Sequence, residues 1–336
     1  MGVSLKEIAK AAGVSEATAS LALNNKPQVN AETKKRICNI ATEMGYIPSI
    51  NAQNLTNKKS KLVGVIVPNI SNLVYSTFVR GLEAELRKHD YKMIMATSES
   101  NIAYEEEMIK HFISFRVEGA IIYPLIKDNP DPKYLNMLTS YNIPFVFIGS
   151  YYNGINAPHV MSDIYGAISN ATEYMYDTGA RNFYYFGGCK TIVSNDLKFR
   201  AIRDTLANKG IPFEDSHYIE LQKTNYQCAY EQAIRLLSQH RKIDAALAGD
   251  VYTSMAIYNA LREYGFKVPD DVSLISFDNL LPPEVCKVPL TCIEQNSSEI
   301  VHDTVDILLQ KMAGNHVNKN ILVNTKLIIR ETTKNI

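Results

Sequence analysis

This chain of 336 residues has few cysteines, and none is placed to staple a fold or hold a metal. Cys38, Cys189, Cys228, Cys286 and Cys292 are scattered, odd in number and never in a CxxC spacing, which argues for a reducing compartment and against a structural zinc site. No run of about eighteen apolar residues occurs, and the first residues lack the apolar core of a signal peptide, so neither a membrane span nor export is expected. Catalytic motifs are missing too. There is no GxGxxG, GxSxG or HExxH, and the seven histidines are dispersed without a metal-ligand pair at helical spacing. Gly149 to Gly154 has the glycine spacing of a phosphate loop, but Ile155-Asn156 follows where Lys-Ser/Thr is needed. Cys189 after Gly187-Gly188 has no histidine or other base near it in sequence and reads as a small buried thiol. No enzyme activity, cofactor or metal is expected.

Net charge is absent as well, with 35 basic and 35 acidic residues, but its distribution is uneven. Residues 1–60 hold eight basic side chains, including Lys6, Lys10 and the run Lys34-Lys35-Arg36, against four acidic ones. The small N-terminal end is therefore positive and the remainder negative. This favours a polyanion partner for that end, although such a run also suits a solvated helical face.

What the chain does have begins at Ser4. Ser4-Leu5-Lys6-Glu7 is a capping box that starts a helix at Leu5. Leu5, Ile8, Ala9 and Ala12 recur at helical spacing, and Gly13 supplies a left-handed stop. Ser15 caps a second helix to about Asn24, with Ala19 and Leu23 facing inward. Two short helices joined by a glycine-containing turn form a helix-turn-helix, whose second helix lies in a major groove with its first residues at base edges. Glu16, Ala17 and Leu21 become the readers. A third helix, capped by Asn30 and closed by Gly45, packs Ile37, Ile40, Ala41 and Met44 across the pair.

From Lys61 the pattern changes to buried strands alternating with amphipathic helices, starting with Leu62-Val63-Gly64-Val65-Ile66-Val67. Helices are predicted over 78–89, 103–116 and 133–141, and strands over 91–96, 119–123 and 145–148. The alternation then restarts, with helices over 167–177, 197–209, 226–239 and 255–264 and strands over 183–186, 245–248 and 272–276. Repeated βα units imply parallel, doubly wound sheets covered by helices. Two successive sets imply an α/β core of two lobes with a cleft between them. A hydrophobic content of 46% supports so large a core.

The wording Ile8-Ala9-Lys10-Ala11-Ala12-Gly13-Val14-Ser15, then Thr18, Ser20 and Leu23-Asn24-Asn25, resembles the lac/galactose repressor family of bacterial transcription regulators. Arg116-Val117-Glu118-Gly119, Gly179-Ala180-Arg181, Val268-Pro269-Asp270-Asp271, Phe277-Asp278-Asn279, Pro289-Leu290-Thr291 and Arg330-Glu331-Thr332 extend the resemblance over the core. It implies a small all-α helix-turn-helix domain (1–48), a hinge helix and linker (49–60), and a core (61–336) with the bilobed fold of periplasmic sugar-binding proteins. The N-lobe would comprise about 61–161 and 291–323, the C-lobe about 162–290 and 324–336, with crossings near Ser162, Thr291 and Asn324.

The resemblance also implies function. A homodimer would bind a near-palindromic double-stranded operator, most often as a repressor, in the bacterial cytoplasm and on the nucleoid when bound. The DNA-contacting set would be Ser4, Ser15, Glu16, Ala17, Thr18, Ser20, Leu21 and Asn24, with Ala52, Gln53 and Leu55 from the hinge, where Leu55 wedges into the minor groove. Gln53 stands where the family usually has an arginine. A small-molecule effector, a sugar or sugar derivative, would occupy the cleft against Asn72, Tyr75, Lys198, Arg200, Asp250, Asp278 and Gln295. Here too the chain departs: Lys198 replaces an arginine, Gly249 an asparagine, and Gly149-Ser150 a polar or charged pair. Asp278 could instead merely cap a turn. A regulator governed by a protein corepressor, or a transport-type solute-binding protein, are the competing classes; the helix-turn-helix opposes the second.

Overall fold

The computed structural model describes residues 3–46, 60–125, 131–281 and 287–335. The expected hinge, 49–55 with Ala52, Gln53 and Leu55, lies outside the described residues, and so does Cys286. The chain divides into two compact units, 1–61 and 62–336.

The first unit is three helices: α1 (Leu5–Ala12), α2 (Glu16–Leu23) and α3 (Ala31–Glu43). Local chemistry sets each end. Glu7 N–H donates to Ser4 Oγ at 3.3 Å while Ser4 N–H donates to the Glu7 carboxylate at 2.7 Å, so the capping box is closed in both directions. Gly13 ends α1 at φ 64°, a left-handed conformation that costs a glycine little. Ser15 accepts from Thr18 N–H at 3.1 Å and Asn30 from Thr33 N–H at 2.8 Å. Ile8, Ala9, Ala12, Ala19, Ala22, Val29, Ile37 and Ala41 form the core. The inward pair on α2 is therefore Ala19 and Ala22, with Leu23 and Leu21 only partly buried against them.

The second unit contains two six-stranded sheets. The first has the order β11-β5-β4-β3-β1-β2, from β1 (Leu62–Val67), β2 (Lys92–Thr97), β3 (Gly119–Ile122), β4 (Phe145–Ile148), β5 (His159–Ser162) and β11 (Ile321–Val323). The second has the order β12-β10-β9-β8-β6-β7, from β6 (Phe183–Gly187), β7 (Tyr218–Glu220), β8 (Ala245–Ala248), β9 (Ser273–Phe277), β10 (Thr291–Gln295) and β12 (Thr325–Ile328). All pairings are parallel except that of β12 with β10, so the second sheet is mixed at one edge.

Helices cover both faces of each sheet. In the first lobe α4 (Leu73–Lys88) and α11 (Ser297–Met312) bury Phe78, Leu82, Val301 and Leu308 on one face, and α5 (Ile102–Ser114) with the short α6 (Asn136–Ser140) buries Phe112 and Leu138 on the other. In the second lobe α7 (Ile164–Asp177) and α8 (Val193–Asn208) lie on one face, α9 (Tyr226–Ser238) and α10 (Val251–Glu263) on the other. Each fully buried Leu or Phe of this kind contributes about 1.5–3 kcal/mol.

The chain passes between the sheets after β5, after β10, and between β11 and β12. Because β10 pairs with β9 from Thr291 onward, the second passage follows Gln295 rather than Thr291, and 291–295 belong with the second lobe. The sequence pattern does not predict the strands β5, β7, β10, β11 and β12 or helix α11. Each of these strands includes positions that are not buried, so none shows the continuous buried run that marks the equally short β3, β4 and β8.

Candidate functional site

In the helix-turn-helix unit the residues expected at DNA separate by what their side chains already do. Ser4 is a cap, its hydroxyl also donating to the Glu7 carboxylate at 2.8 Å. Ser15 and Thr18 share a hydroxyl–hydroxyl bond of 2.8 Å. Asn24 turns back along α2, its amide donating to the Ser20 carbonyl at 2.9 Å. Glu16 and Ala17 are exposed at the first turn of α2. Leu21 is split between solvent and the three-helix core, and Ser20 is half-buried. On α3, Lys35 and Arg36 are exposed, while Lys34 donates to Asn25 Oδ1 at 3.0 Å.

The core presents a cavity of about 110 Å³ between the carboxyl ends of the two sheets, lined among others by Asn72, Tyr75, Lys198, Asp250, Asp278 and Gln295. Six of the seven effector positions expected from the sequence are thus brought together. Arg200 is not. It lies two residues beyond Lys198 on α8, about 200° round the helix, and pairs with Asp196 at 2.8 Å on an exposed face. Sequence reasoning also misses Tyr123, Asn195 and Thr224 in the lining, and names Ser150 only as a departure from the family's pattern. Tyr123 directly follows β3, where the rule that ligands sit at strand carboxyl ends could have found it.

Each site residue is held by its element. Asn72 caps α4, accepting from Val74 N–H at 2.9 Å, and Asp250 caps α10, accepting from Thr253 N–H at 2.8 Å and Thr253 Oγ1 at 3.0 Å. Asp278 follows β9 in a left-handed conformation, φ 78°, which an aspartate tolerates better than most residues. Gln295 ends β10, donating through Nε2 to Asp278 and accepting through Oε1 from Ser162 Oγ at 2.7 Å. Ser162 and Gln295 are the last residues of β5 and β10, after which the chain crosses between sheets, so one hydrogen-bonded chain joins these two crossings to Asp278. Gly149 has φ 72°, and a Cβ there would stand 2.2 Å from the Tyr123 ring, so the position admits no side chain. The Tyr123 ring meets the Tyr75 ring edge-on, centroids 4.7 Å apart.

The electrostatics are those of charge kept from water. Burial pushes the Asp278 carboxyl up to about 6, against the Gln295 hydrogen bond and the Lys198 charge, while Asp250 adds to the rise. Burial raises Asp250 as well, opposed by the bonds from Thr253. Lys198, whose ammonium sits 4.0 Å over the Phe277 ring, is pushed down by burial and held up by the two aspartates. Such a set can pair with ligand hydroxyls at the carboxylates, donate to a polar atom from the lysine, and offer tyrosine faces to a ring.

Cys189, expected buried, is half-buried, with Sγ 3.3 Å from Thr191 Oγ1. Among the described residues no group of three or more His, Cys, Asp or Glu is arranged for a metal, and no helix is long and apolar enough to cross a membrane.

Comparison with known proteins follows the same division. Residues 4–49 match the family described as "Bacterial regulatory proteins, lacI family" and 172–333 match "Periplasmic binding protein-like domain". Catabolite control protein A of Priestia megaterium is 26% identical over 336 residues, covering 99% of this chain and all of that protein. The HTH-type transcriptional repressor CytR of Escherichia coli (strain K12) is 27% identical over 332 residues, covering 98% and 96%. Among solved structures, the lac repressor dimer bound to operator and an anti-inducer superposes with a TM-score of 0.87 at 22% identity, covering 99% of both chains. A complex of the transcriptional regulator CelR with cellobiose gives 0.73 at 22% identity, covering 98% and 99%. By these matches the chain joins a DNA-binding domain of the type found in bacterial regulatory proteins of the lacI family to a periplasmic-binding-protein-like domain.

Proposed function

We propose that this chain is a transcriptional repressor that binds a near-palindromic operator as a homodimer and is switched by a small polyhydroxylated effector, a sugar or sugar derivative, in the cleft of its core. Glu16, Ala17 and Leu21 are the base readers, with Ser15, Thr18, Ser20 and Asn24 shaping and flanking the recognition helix. Leu55, Ala52 and Gln53 act from the hinge. Asn72, Tyr75, Lys198, Asp250, Asp278 and Gln295 hold the effector. The protein acts in the cytoplasm, on the nucleoid when bound.

One observation carries the reading: the Ser162–Gln295–Asp278 chain ties a buried, cleft-lining carboxylate to both β5 and β10 where they leave their sheets. A ligand that engages Asp278 acts directly on the residues about which the two lobes reorient, and lobe reorientation is what biases a two-state dimer. Relatives named as transcriptional repressors and the family match of the N-terminal unit supply the DNA-binding half.

Genome-wide mapping of bound sites, followed by fluorescence anisotropy on a recovered operator with a sugar panel, tests it. A palindromic motif whose affinity responds to one sugar is the expected result. A response only to a cellular protein would transfer control to a corepressor, and no enriched motif would defeat the reading.

A further inference from the structure

The carboxylates and Lys198 account for most of the cleft chemistry, but one polar atom beside them is unexplained. Tyr185, on β6, is fully buried, and its hydroxyl has no hydrogen-bond partner among the described residues. Buried hydroxyls are nearly always paired, because one left alone loses its bonds to water and gains nothing in return.

The position of this hydroxyl is specific. The ring leans along β6 toward its carboxyl end, so that a Cβ on Gly187 would stand 2.3 Å from its Cε1 and 2.8 Å from its oxygen. A Cβ on Gly249, just past the end of the neighbouring β8, would stand 3.1 Å from the same oxygen. Gly249 lines the cavity, and the next residue is Asp250. Two glycines therefore make room for a phenol oxygen at the cleft end of the sheet. Burial, with Asp250 and Asp278 adding to it, keeps the phenol protonated, so it is a hydrogen-bond donor at neutral pH.

Tyr218 gives an internal comparison. It lies on β7, paired with β6, and its ring centroid is 5.0 Å from that of Tyr185. Its hydroxyl donates to the Gly188 carbonyl at 2.6 Å. Of two adjoining phenols, one is answered by the backbone, and the other, fully buried behind the cavity-lining Gly249, has no partner among the described residues.

We propose that the Tyr185 hydroxyl is a specificity-determining donor of the effector cleft, meeting a ligand hydroxyl whose own hydrogen goes to Asp250 or Asp278. This rests on the reading of the cleft as a site for a small polyhydroxylated ligand. A hydroxyl that accepts from the phenol while donating to a carboxylate is the group that satisfies both partners at once.

The test compares full-length wild type, Tyr185→Phe and Tyr218→Phe by thermal melts and calorimetry with D-glucose, D-galactose, D-ribose and D-xylose. Tyr185→Phe should keep or raise the ligand-free Tm, since no internal bond is lost, and should bind the active sugar roughly tenfold more weakly. Tyr218→Phe should lower the Tm and bind that sugar like wild type. A sugar that binds Tyr185→Phe as tightly as wild type overturns the inference alone. So does a ligand-free Tm for Tyr185→Phe that falls as far as that of Tyr218→Phe, because the hydroxyl then has a structural partner. If none of the sugars stabilises the wild type, the polyhydroxylated-ligand reading fails and the inference falls with it.

Discussion

Two buried polar clusters in the core have opposite characters. In the first lobe Glu105, on α5 and fully buried, accepts from Tyr134 at 2.6 Å and from Tyr152 at 3.1 Å, and the Tyr152 hydroxyl in turn accepts from Leu125 N–H at 2.7 Å. The carboxylate and both phenols are answered inside the chain. Among the described residues the cleft carboxylate of Asp278 has only Gln295 as a hydrogen-bond partner, Lys198 sits over an aromatic face, and the Tyr185 hydroxyl behind the cleft has no partner. A closed network rigidifies a fold, whereas one left open between two lobes is, on the proposed reading, completed by a ligand. The same contrast holds in the DNA-binding unit, where Ser4 and Glu7 satisfy each other while Glu16 faces solvent.

The strongest way to break the comparison is to remove one carboxylate from each cluster. Glu105→Ala strands the buried phenol of Tyr152 and the half-buried one of Tyr134 and opens a void, and should cost about 3–4 kcal/mol in denaturant melts. Asp278→Asn keeps the shape, the acceptor for Gln295 and tolerance of the left-handed backbone, and should change stability by less than about 1 kcal/mol. It should nevertheless abolish the response of operator affinity to effector. Were the cleft variant to lose as much stability as the Glu105 variant, the cleft cluster would be structural and the contrast would collapse.

Protons sharpen the same contrast. Burial pushes Glu105 up to about 7, against the two tyrosine hydrogen bonds, so the folded state binds its proton more tightly than the unfolded chain does. Its contribution therefore favours folding in acid and is lost as pH rises from about 4.5 through 7. Glu105→Gln, uncharged throughout, should be more stable than wild type by about 1–3 kcal/mol at pH 8, with the difference vanishing near pH 4.5. Melts of both proteins across that range check it; a gap that does not change with pH would mean Glu105 is not titrating there. Asp278, pushed up to about 6, shifts stability in the same direction over the lower part of the window.

How far the sequence carries this picture depends on which way a segment faces. Strands such as Leu62–Val67 and Ala245–Ala248 are legible to the residue, because both their faces are buried and the apolar run is continuous. The same periodicity starts helices late by three to five residues: 78 for Leu73, 167 for Ile164, 197 for Val193, 255 for Val251. Every one of those missed first turns, or the cap before it, lines the cavity. Amphipathic periodicity reports packing against a core, and these turns face a cleft instead, so their polar residues register as loop. Tyr185 is invisible for the converse reason. In Phe183-Tyr184-Tyr185-Phe186 it reads as one more apolar strand position, and only the structure shows that its oxygen reaches the end of the sheet unpaired among the described residues.

On the DNA side Glu16 is exposed at the first turn of α2. Of the three proposed readers only it can hydrogen-bond a base edge, accepting from a cytosine amino group, while Ala17 and Leu21 offer contact to thymine methyls. Glu16→Gln exchanges an acceptor for a group that pairs with adenine, and should change preference at one symmetric pair of positions by about 1–3 kcal/mol per half-site. Selection from random DNA with both proteins reads this directly; identical motifs would remove Glu16 from the readers.

The smallest effect is expected where the polar groups already satisfy each other. The resemblance places Ser4 at DNA, yet in the structure its hydroxyl and backbone N–H are both committed to Glu7. The hydrogen bonds hold the Glu7 carboxyl below its ordinary range, as a closed capping box does. Ser4→Ala removes the cap from α1 and should cost about 1 kcal/mol in the stability of the helix-turn-helix unit. Operator binding separates the two roles. A cap acts on the folded population and leaves the number of displaced counterions alone, so the slope of log affinity against log salt should match wild type. A hydroxyl that donates to a phosphate favours every sequence equally, and its removal weakens specific and non-specific binding together even at temperatures where the unit is fully folded. Hydrogen exchange of the α1 amides, measured beside anisotropy at low temperature, decides between them. Faster exchange with unchanged affinity assigns Ser4 to the fold, and unchanged exchange with weaker binding on all sequences assigns it to the DNA backbone.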